Sequence, residues 1–333
     1  MNLYTTLQAL CGCASVSGRE KAIRSLLTER ILPFCDEIRE DALGNLIARK
    51  KGSGEGPSVM LCAHMDEIGF LVTCVEDSGM VRLAPVGGIG FVASSYGEVI
   101  SEKGIRGVLV PEGKTKPQDY TSDRFYIDIG AKNRKEAEKK VSIGDFFVAL
   151  GGVRKLMGKR VCGRPLDDRI GCAVVLAIAE ALWNESLRGD VYYVFSVQEE
   201  VGCRGALPAA FGIRPDYALA FDVTGTGDTP SANTMACSLG GGAAVKIKDS
   251  SVICHEEVVR ALCEIAQQKK IPYQREILLR GGTDTSSMQM AGVGSRAGAL
   301  SIPCRYIHSS VETCDLGDAE ACVSLAAEFV KQL

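Results

Sequence analysis

Ser58-Val-Met-Leu-Cys-Ala-His-Met-Asp66 is the stretch on which the reading of this chain turns. Ser58 to Ala63 is a short, nearly continuous apolar run, the pattern of a strand buried on both faces. A sheet of such strands is covered by helices on both sides. Open sheets of that kind collect ligands just beyond the carboxyl ends of their strands. His64 and Asp66 stand at that place.

The same arrangement recurs downstream. Val191 to Val197 is a second buried run and leads to Glu199 and Glu200. Asp216 to Phe221 leads to Asp222, and Ala299 to Pro303 leads to His308. Asp167 and Asp168 precede a strongly apolar helix expected over Ile170 to Leu187. Periodicity predicts further helices over Glu256 to Lys269, Thr285 to Met290 and Asp318 to Lys331. Near the N-terminus, Ser17-Gly-Arg-Glu20 reads as a capping box that opens a helix through Ile23, Leu26, Leu27 and Ile31. Asp36 to Arg49 alternates around Leu43-Gly44-Asn45 and reads as a hairpin.

Between Gly69 and Lys159 the texture changes to short β-branched runs separated by Gly, Asp and Pro turns, with a polar helical patch near Asn133 to Lys140. This is the pattern of a small all-β unit. The expected organisation is one α/β domain, residues 1–68 and 162–333, split by a β-rich insert at residues 69–161.

The 333 residues are 46% hydrophobic and 24% charged, which excludes wholesale disorder. A net charge of -3 gives no footprint for nucleic acid. The longest apolar stretch, Ile170 to Trp183, is too short for a membrane span and carries Glu180. The first residues lack the basic and apolar regions of a signal peptide. The 14 cysteines are therefore expected to be reduced and mostly buried, in a cytoplasmic protein. A G-x-S-x-G nucleophile elbow is missing. Gly292-Val-Gly-Ser-Arg-Ala297 mimics a dinucleotide fingerprint but follows a helix and precedes a strand, the reverse of that motif.

The chain has 3 histidines, His64, His255 and His308. His255 opens a helix as His-Glu-Glu and reads as a solvated helix end. The other two stand with acids at strand ends. Imidazoles and several carboxylates suit a divalent ion such as Zn²⁺, Mn²⁺ or Co²⁺. So many carboxylates in one cleft repel one another, and two dications remove that cost, which favours a two-metal site. The side chains of adjacent Glu199 and Glu200 diverge at a strand end, so one can ligate while the other serves as general base.

H-x-D at His64, L-D-D-R-x-G at Leu166 to Gly171, E-E-x-G at Glu199 to Gly202, F-D at Phe221–Asp222 and I-H-S at Ile307 to Ser309 occur in that order. With these motifs the chain resembles, over essentially its whole length, the tetrahedral (glutamyl or deblocking) aminopeptidases, a di-metal family related to other co-catalytic zinc exopeptidases. The resemblance implies an α/β fold with a mixed sheet flanked by helices and an inserted, barrel-like β domain. It implies two divalent ions per subunit (Zn, Co or Mn). His64 and Asp222 would hold one, Glu200 and His308 the other, and Asp167 would bridge. Asp167 is preferred to Asp168 because the related motif centres on the acid four residues before Gly171. Glu199 would be the general base. Asp66 would accept the second imidazole N–H of His64. Asp284, in Gly281-Gly-Thr-Asp284, would lie beside the substrate cleft. The implied substrates are short peptides with a free N-terminus, cleaved by a water activated between the metals. The implied assembly is a homo-oligomer in which the insert drives dimer contacts and dimers build a tetrahedral dodecamer. Alternatives on the same acids are a carboxypeptidase or deacylase, a glycosidase using Glu199 and Glu200 as paired acids, and a non-catalytic metal-dependent assembly protein.

Overall fold

A computed structural model describes residues 1–232 and 234–333. In chain order the strands are β1 (Glu37–Glu40), β2 (Leu46–Lys50), β3 (Val59–His64), β4 (Gly69–Val75), β5 (Val81–Val86), β6 (Glu98–Ser101), β7 (Arg106–Pro111), β8 (Phe125–Asp128) and β9 (Phe146–Ala149). They continue with β10 (Gly152–Lys155), β11 (Arg160–Arg164), β12 (Val191–Ser196), β13 (Tyr217–Thr224), β14 (Ala243–Lys248), β15 (Tyr273–Ile277), β16 (Arg296–Arg305) and β17 (Glu312–Asp315). An 11-stranded mixed sheet runs β1-β2-β12-β3-β13-β16-β17-β11-β10, with β14 paired to β16 and β15 to β14. The expected α/β architecture with a mixed sheet is present.

β3 explains why the sheet has two covers. Its side chains alternate between faces. Val59, Leu61 and Ala63 enter the large core under the helices Leu3–Cys11, Lys21–Ile31, Arg169–Leu182, Glu256–Lys269 and Leu316–Gln332. Met60 and Cys62 enter a smaller core under Ala206–Ile213 and Thr285–Met290. Arg169–Leu182 lies at the centre of the large core. Its Ile170, Val174, Val175 and Ile178 are fully buried, each contributing roughly 1.5–3 kcal/mol. That helix stops at Leu182, short of the expected Leu187, where the ammonium of Lys50 caps the Trp183 carbonyl at 2.8 Å. Among the described residues no helix is long and apolar enough to cross a membrane.

The inserted β unit closes on itself as a six-stranded barrel, β4-β5-β8-β7-β6-β9. Its centre is filled by Phe70, Val81, Phe125, Ile127 and Phe147. The polar patch forms the short helix Arg134–Ala137, capped by Asn133. The hairpin β10–β11 joins the large sheet through β17, so the strands of the barrel end at Ala149, ahead of residue 161. The capping box at Ser17 does not form. The helix starts at Lys21 with no side-chain cap, and the Ser17 hydroxyl donates instead to Asp66 Oδ2 at 2.7 Å. A buried carboxylate needing donors outcompetes an exposed helix end.

Candidate metal centre

β3, β12, β13 and β16 are parallel, so their carboxyl ends share one edge of the sheet. His64 ends β3, Glu199 and Glu200 follow β12, Asp222 lies in β13, and His308 follows β16. Asp167 and Asp168, joined by a cis peptide, connect β11 to the helix Arg169–Leu182.

Asp167 stands between the two imidazoles. Its Oδ1 is 3.1 Å from His64 Nε2, and its Oδ2 is 3.3 Å from His308 Nε2. His308 Nε2 is also 3.2 Å from Glu200 Oε2, and His64 Nε2 is 3.8 Å from Asp222 Oδ1. Two ligands each about 2.0–2.2 Å from a tetrahedral ion stand roughly 3.4 Å apart. These separations bracket that value. Donor atoms of His64, Asp167 and Glu200 lie within 4.8 Å of one another, as do those of His64, Asp168 and Asp222. The donor set and its spacing therefore fit divalent ions.

The electrostatics point the same way. Burial pushes the carboxyls of Asp222, Asp168, Glu199 and Glu200 above their ordinary range. Burial also opposes the charged form of each imidazole. For His64 the acids Asp167 and Asp66 outweigh it and hold the pKa well above the usual range. Burial likewise opposes the imidazolium of His308, but Asp167 and Glu200 raise it to about 11. Asp167 is lowered, because both imidazoles overcome its burial, and Asp66 beside His64 is lowered as well. The cluster holds more negative charge than its own cations balance, and added dications relieve that imbalance.

The two adjacent aspartates take different places. Asp168 Oδ1 accepts the Gly171 N–H at 3.0 Å and caps the helix, while its buried Oδ2 has no partner. The Asp168 carboxylate occupies the space a Cβ on residue 171 would need, which accounts for the glycine of L-D-D-R-x-G. Asp66 is fully buried and ties the turn down, accepting from Glu199 N at 3.0 Å and Glu200 N at 3.3 Å. Its carboxylate lies 3.5 Å from His64 Nδ1, whereas its own backbone carbonyl is nearer, at 3.2 Å. Behind it, Arg169 is fully buried and donates to the carbonyls of Leu10 and Cys13 and to Glu67.

Glu312 was invisible in the sequence pattern. Its Oε2 accepts from Leu166 N at 2.7 Å and Asp167 N at 3.2 Å, and its Oε1 from His308 N at 2.9 Å. One buried carboxylate thus fixes the backbones of both residues that face each other across the site. His308 has φ 62°, a conformation few non-glycine residues adopt, and the Glu312 contact holds it there. The available signal was position, four residues after His308. Burial pushes the Glu312 carboxyl up to about 7.

A cleft of about 560 Å³ opens over this cluster, lined by Asp167, Glu199, Glu200, Asp222 and His308 together with Cys203, Leu278, Arg280, Gly281 and Gly282. The loop after β5 closes one side, where a Cβ on Gly88 would stand 3.1 Å from His308 Nδ1. Asp284 is buried beneath the cleft, hydrogen-bonded to Ser196 and Cys62, and its side chain does not cap the helix that follows. Glu199 Oε1 accepts the Cys203 thiol at 3.1 Å, while Glu200 faces His308, so the two glutamates have separate partners. His255 sits at the start of the helix Glu256–Lys269, outside these clusters.

Residues 44–325 match the M42 glutamyl aminopeptidase family. A putative aminopeptidase of Acetivibrio thermocellus is 44% identical over 99% of this chain and 98% of its own length. The structure of an aminopeptidase from the archaeon Desulfurococcus kamchatkensis superposes with a TM-score of 0.95 at 36% identity, covering 99% of this chain and 95% of that one. The Pyrococcus horikoshii TET1 peptidase, described as assembling into a tetrahedron or a large octahedral shell, superposes with a TM-score of 0.89 at 34% identity over 100% of both chains. With its acid- and imidazole-lined cleft at the sheet edge, this chain belongs to the M42 glutamyl aminopeptidase family and is a metal-dependent peptide hydrolase.

Proposed function

We propose that this aminopeptidase uses two divalent ions, Zn²⁺, Co²⁺ or Mn²⁺, held by His64 and Asp222 on one side and by Glu200 and His308 on the other, with Asp167 shared. The position of Asp167 between both Nε2 atoms carries this reading. When bound, such ions polarise the scissile carbonyl and lower the pKa of water. Glu199 takes a proton from the attacking water and returns it to the leaving amine. Its raised pKa suits a group that must hold a proton between two steps. Asp66 fixes the Glu199–Glu200 turn and supports the orientation of His64. The Gly281–Asp284 loop borders the substrate, with Asp284 behind it.

The substrates of this reading are short peptides with a free N-terminus. Arg280 on the cleft wall favours a first residue of Glu or Asp. The unit at residues 69–161 would mediate dimer contacts, and dimers would assemble into a tetrahedral dodecamer. The 14 cysteines, free in the fold, suit the reducing cytoplasm. The separate partners of Glu199 and Glu200 disfavour a glycosidase, whose two acids must face each other across one bond.

The test is a peptide panel beginning with Glu, Lys or Leu, each free or N-acetylated, offered to chelated enzyme before and after refilling with each metal. Cleavage of free peptides only, restored by metal, is the expected result. Equal cleavage of the acetylated peptides would make the enzyme a deacylase or carboxypeptidase instead.

A further inference from the structure

Glu199, Cys203 and Asp284 share no side chain with the two clusters around His64, and each offers a donor atom within 4.8 Å of the other two. The Cys203 thiol is directed at Glu199 Oε1. Asp284 is 3% exposed. Its Oδ2 takes the Ser196 hydroxyl and the Cys62 thiol, while its buried Oδ1 has no hydrogen-bond partner. A carboxylate oxygen stripped of water and given no donor is costly, and a cation is the partner that best offsets that cost. Glu199 and Cys203 line the open cleft, so an ion can reach the cluster from solvent.

We propose that Glu199, Cys203 and Asp284 form a separate cation site for a thiophilic divalent ion, Zn²⁺ or Cd²⁺, and that filling it silences the enzyme. The entering ion displaces the thiol proton to solvent and takes one sulfur and two carboxylate oxygens as donors. The sulfur selects soft ions over Mn²⁺ or Mg²⁺. Silencing follows because Glu199 is held by the ion and no longer accepts a proton from water. This second half rests on Glu199 being the general base, whereas binding does not.

The experiment adds Cd²⁺ to the holoenzyme of the wild type, Cys203→Ala and Asp284→Asn, reading the ultraviolet thiolate-to-cadmium band and peptide hydrolysis together. The wild type is expected to gain a band that saturates at one ion per subunit while its rate falls at least tenfold. Cys203→Ala should lack that band, and Cd²⁺ should lower its rate less than twofold below that variant's own Cd²⁺-free rate. Asp284→Asn should need at least tenfold more Cd²⁺ to reach half the band. The same band in the wild type and Cys203→Ala would overturn the site. Equal loss of rate in both, or a wild-type band with no loss of rate, would overturn the silencing. If Glu199→Gln keeps its turnover, the general-base reading falls and silencing with it, while a Cys203-dependent band still establishes the site.

Discussion

Asp167 presents one carboxylate oxygen to each of the two imidazoles at the sheet edge, Oδ1 at 3.1 Å to His64 and Oδ2 at 3.3 Å to His308. The next residue, Asp168, instead spends its Oδ1 on capping a helix. The resemblance prefers Asp167 by its place four residues before Gly171, and in the fold the two neighbouring aspartates have different partners.

Asp167→Asn replaces one of the two shared oxygens with an amide that donates rather than ligates. Loss of a residue that merely orients a ligand costs 10–100-fold, so this variant is expected to lose more than ~100-fold in kcat/KM. Asp168→Asn keeps a good helix cap and should stay within about tenfold, a change of roughly 1.4 kcal/mol. Steady-state kinetics of both variants decide it, and the opposite order of losses would move the bridging role to Asp168.

Glu199→Gln preserves shape but removes the proton acceptor. Its kcat should fall by roughly 10²–10⁴-fold with metal content unchanged. A variant that keeps most of its turnover would exclude Glu199 as the base.

Glu312→Ala leaves two buried backbone N–H groups and one part-buried one without this acceptor. At 1–3 kcal/mol for each such group, the expected loss of stability is roughly 3–9 kcal/mol. Glu312→Gln keeps one acceptor oxygen and should fold, but with metal affinity reduced about 10–100-fold as Asp167 and His308 lose their common anchor. Denaturant midpoints and metal titrations measure the two effects. Wild-type metal affinity in the Gln variant would show that the anchor has no bearing on the site.

Asp318, in the first turn of the helix Leu316–Gln332 and outside the metal-binding clusters, is buried and accepts from Gly240 N at 2.8 Å and Gly242 N at 2.7 Å. Burial pushes its carboxyl up to about 6. The folded state therefore binds this proton more tightly than the unfolded chain, whose Asp titrates near 3.9. Folding takes up a proton between about pH 4 and 6, and the stability linked to it declines as pH rises through that window. Asp318→Asn does not titrate, so its melting temperature relative to wild type should improve by a few degrees between pH 4.5 and 7.5. A constant difference across that range would contradict the linkage.

Much of this was legible because periodicity and burial act locally. The run before His64 announced a doubly covered strand, and the helices Glu256–Lys269 and Thr285–Met290 fell where their patterns placed them. The barrel strands were readable from their turns, but the hairpin Gly152–Arg164 was not assignable, since pairing with β17 depends on residues 312–315 far along the chain. Ser17 looked like a helix cap until Asp66 was folded against it. Glu312, Arg169 and the Cys203–Glu199 contact escaped for the same reason. Their roles lie in hydrogen bonds across the fold, and no spacing rule encodes such partners.

Metal content per subunit, measured on wild type, His64→Ala, His308→Ala and Asp167→Asn after refilling with Mn²⁺, which the thiol site disfavours, and removal of free ions, tests the shared-acid site most directly. The account predicts two ions in the wild type, about one in each histidine variant, and fewer than one in Asp167→Asn. A single ion in the wild type, or two ions retained by Asp167→Asn, would contradict it.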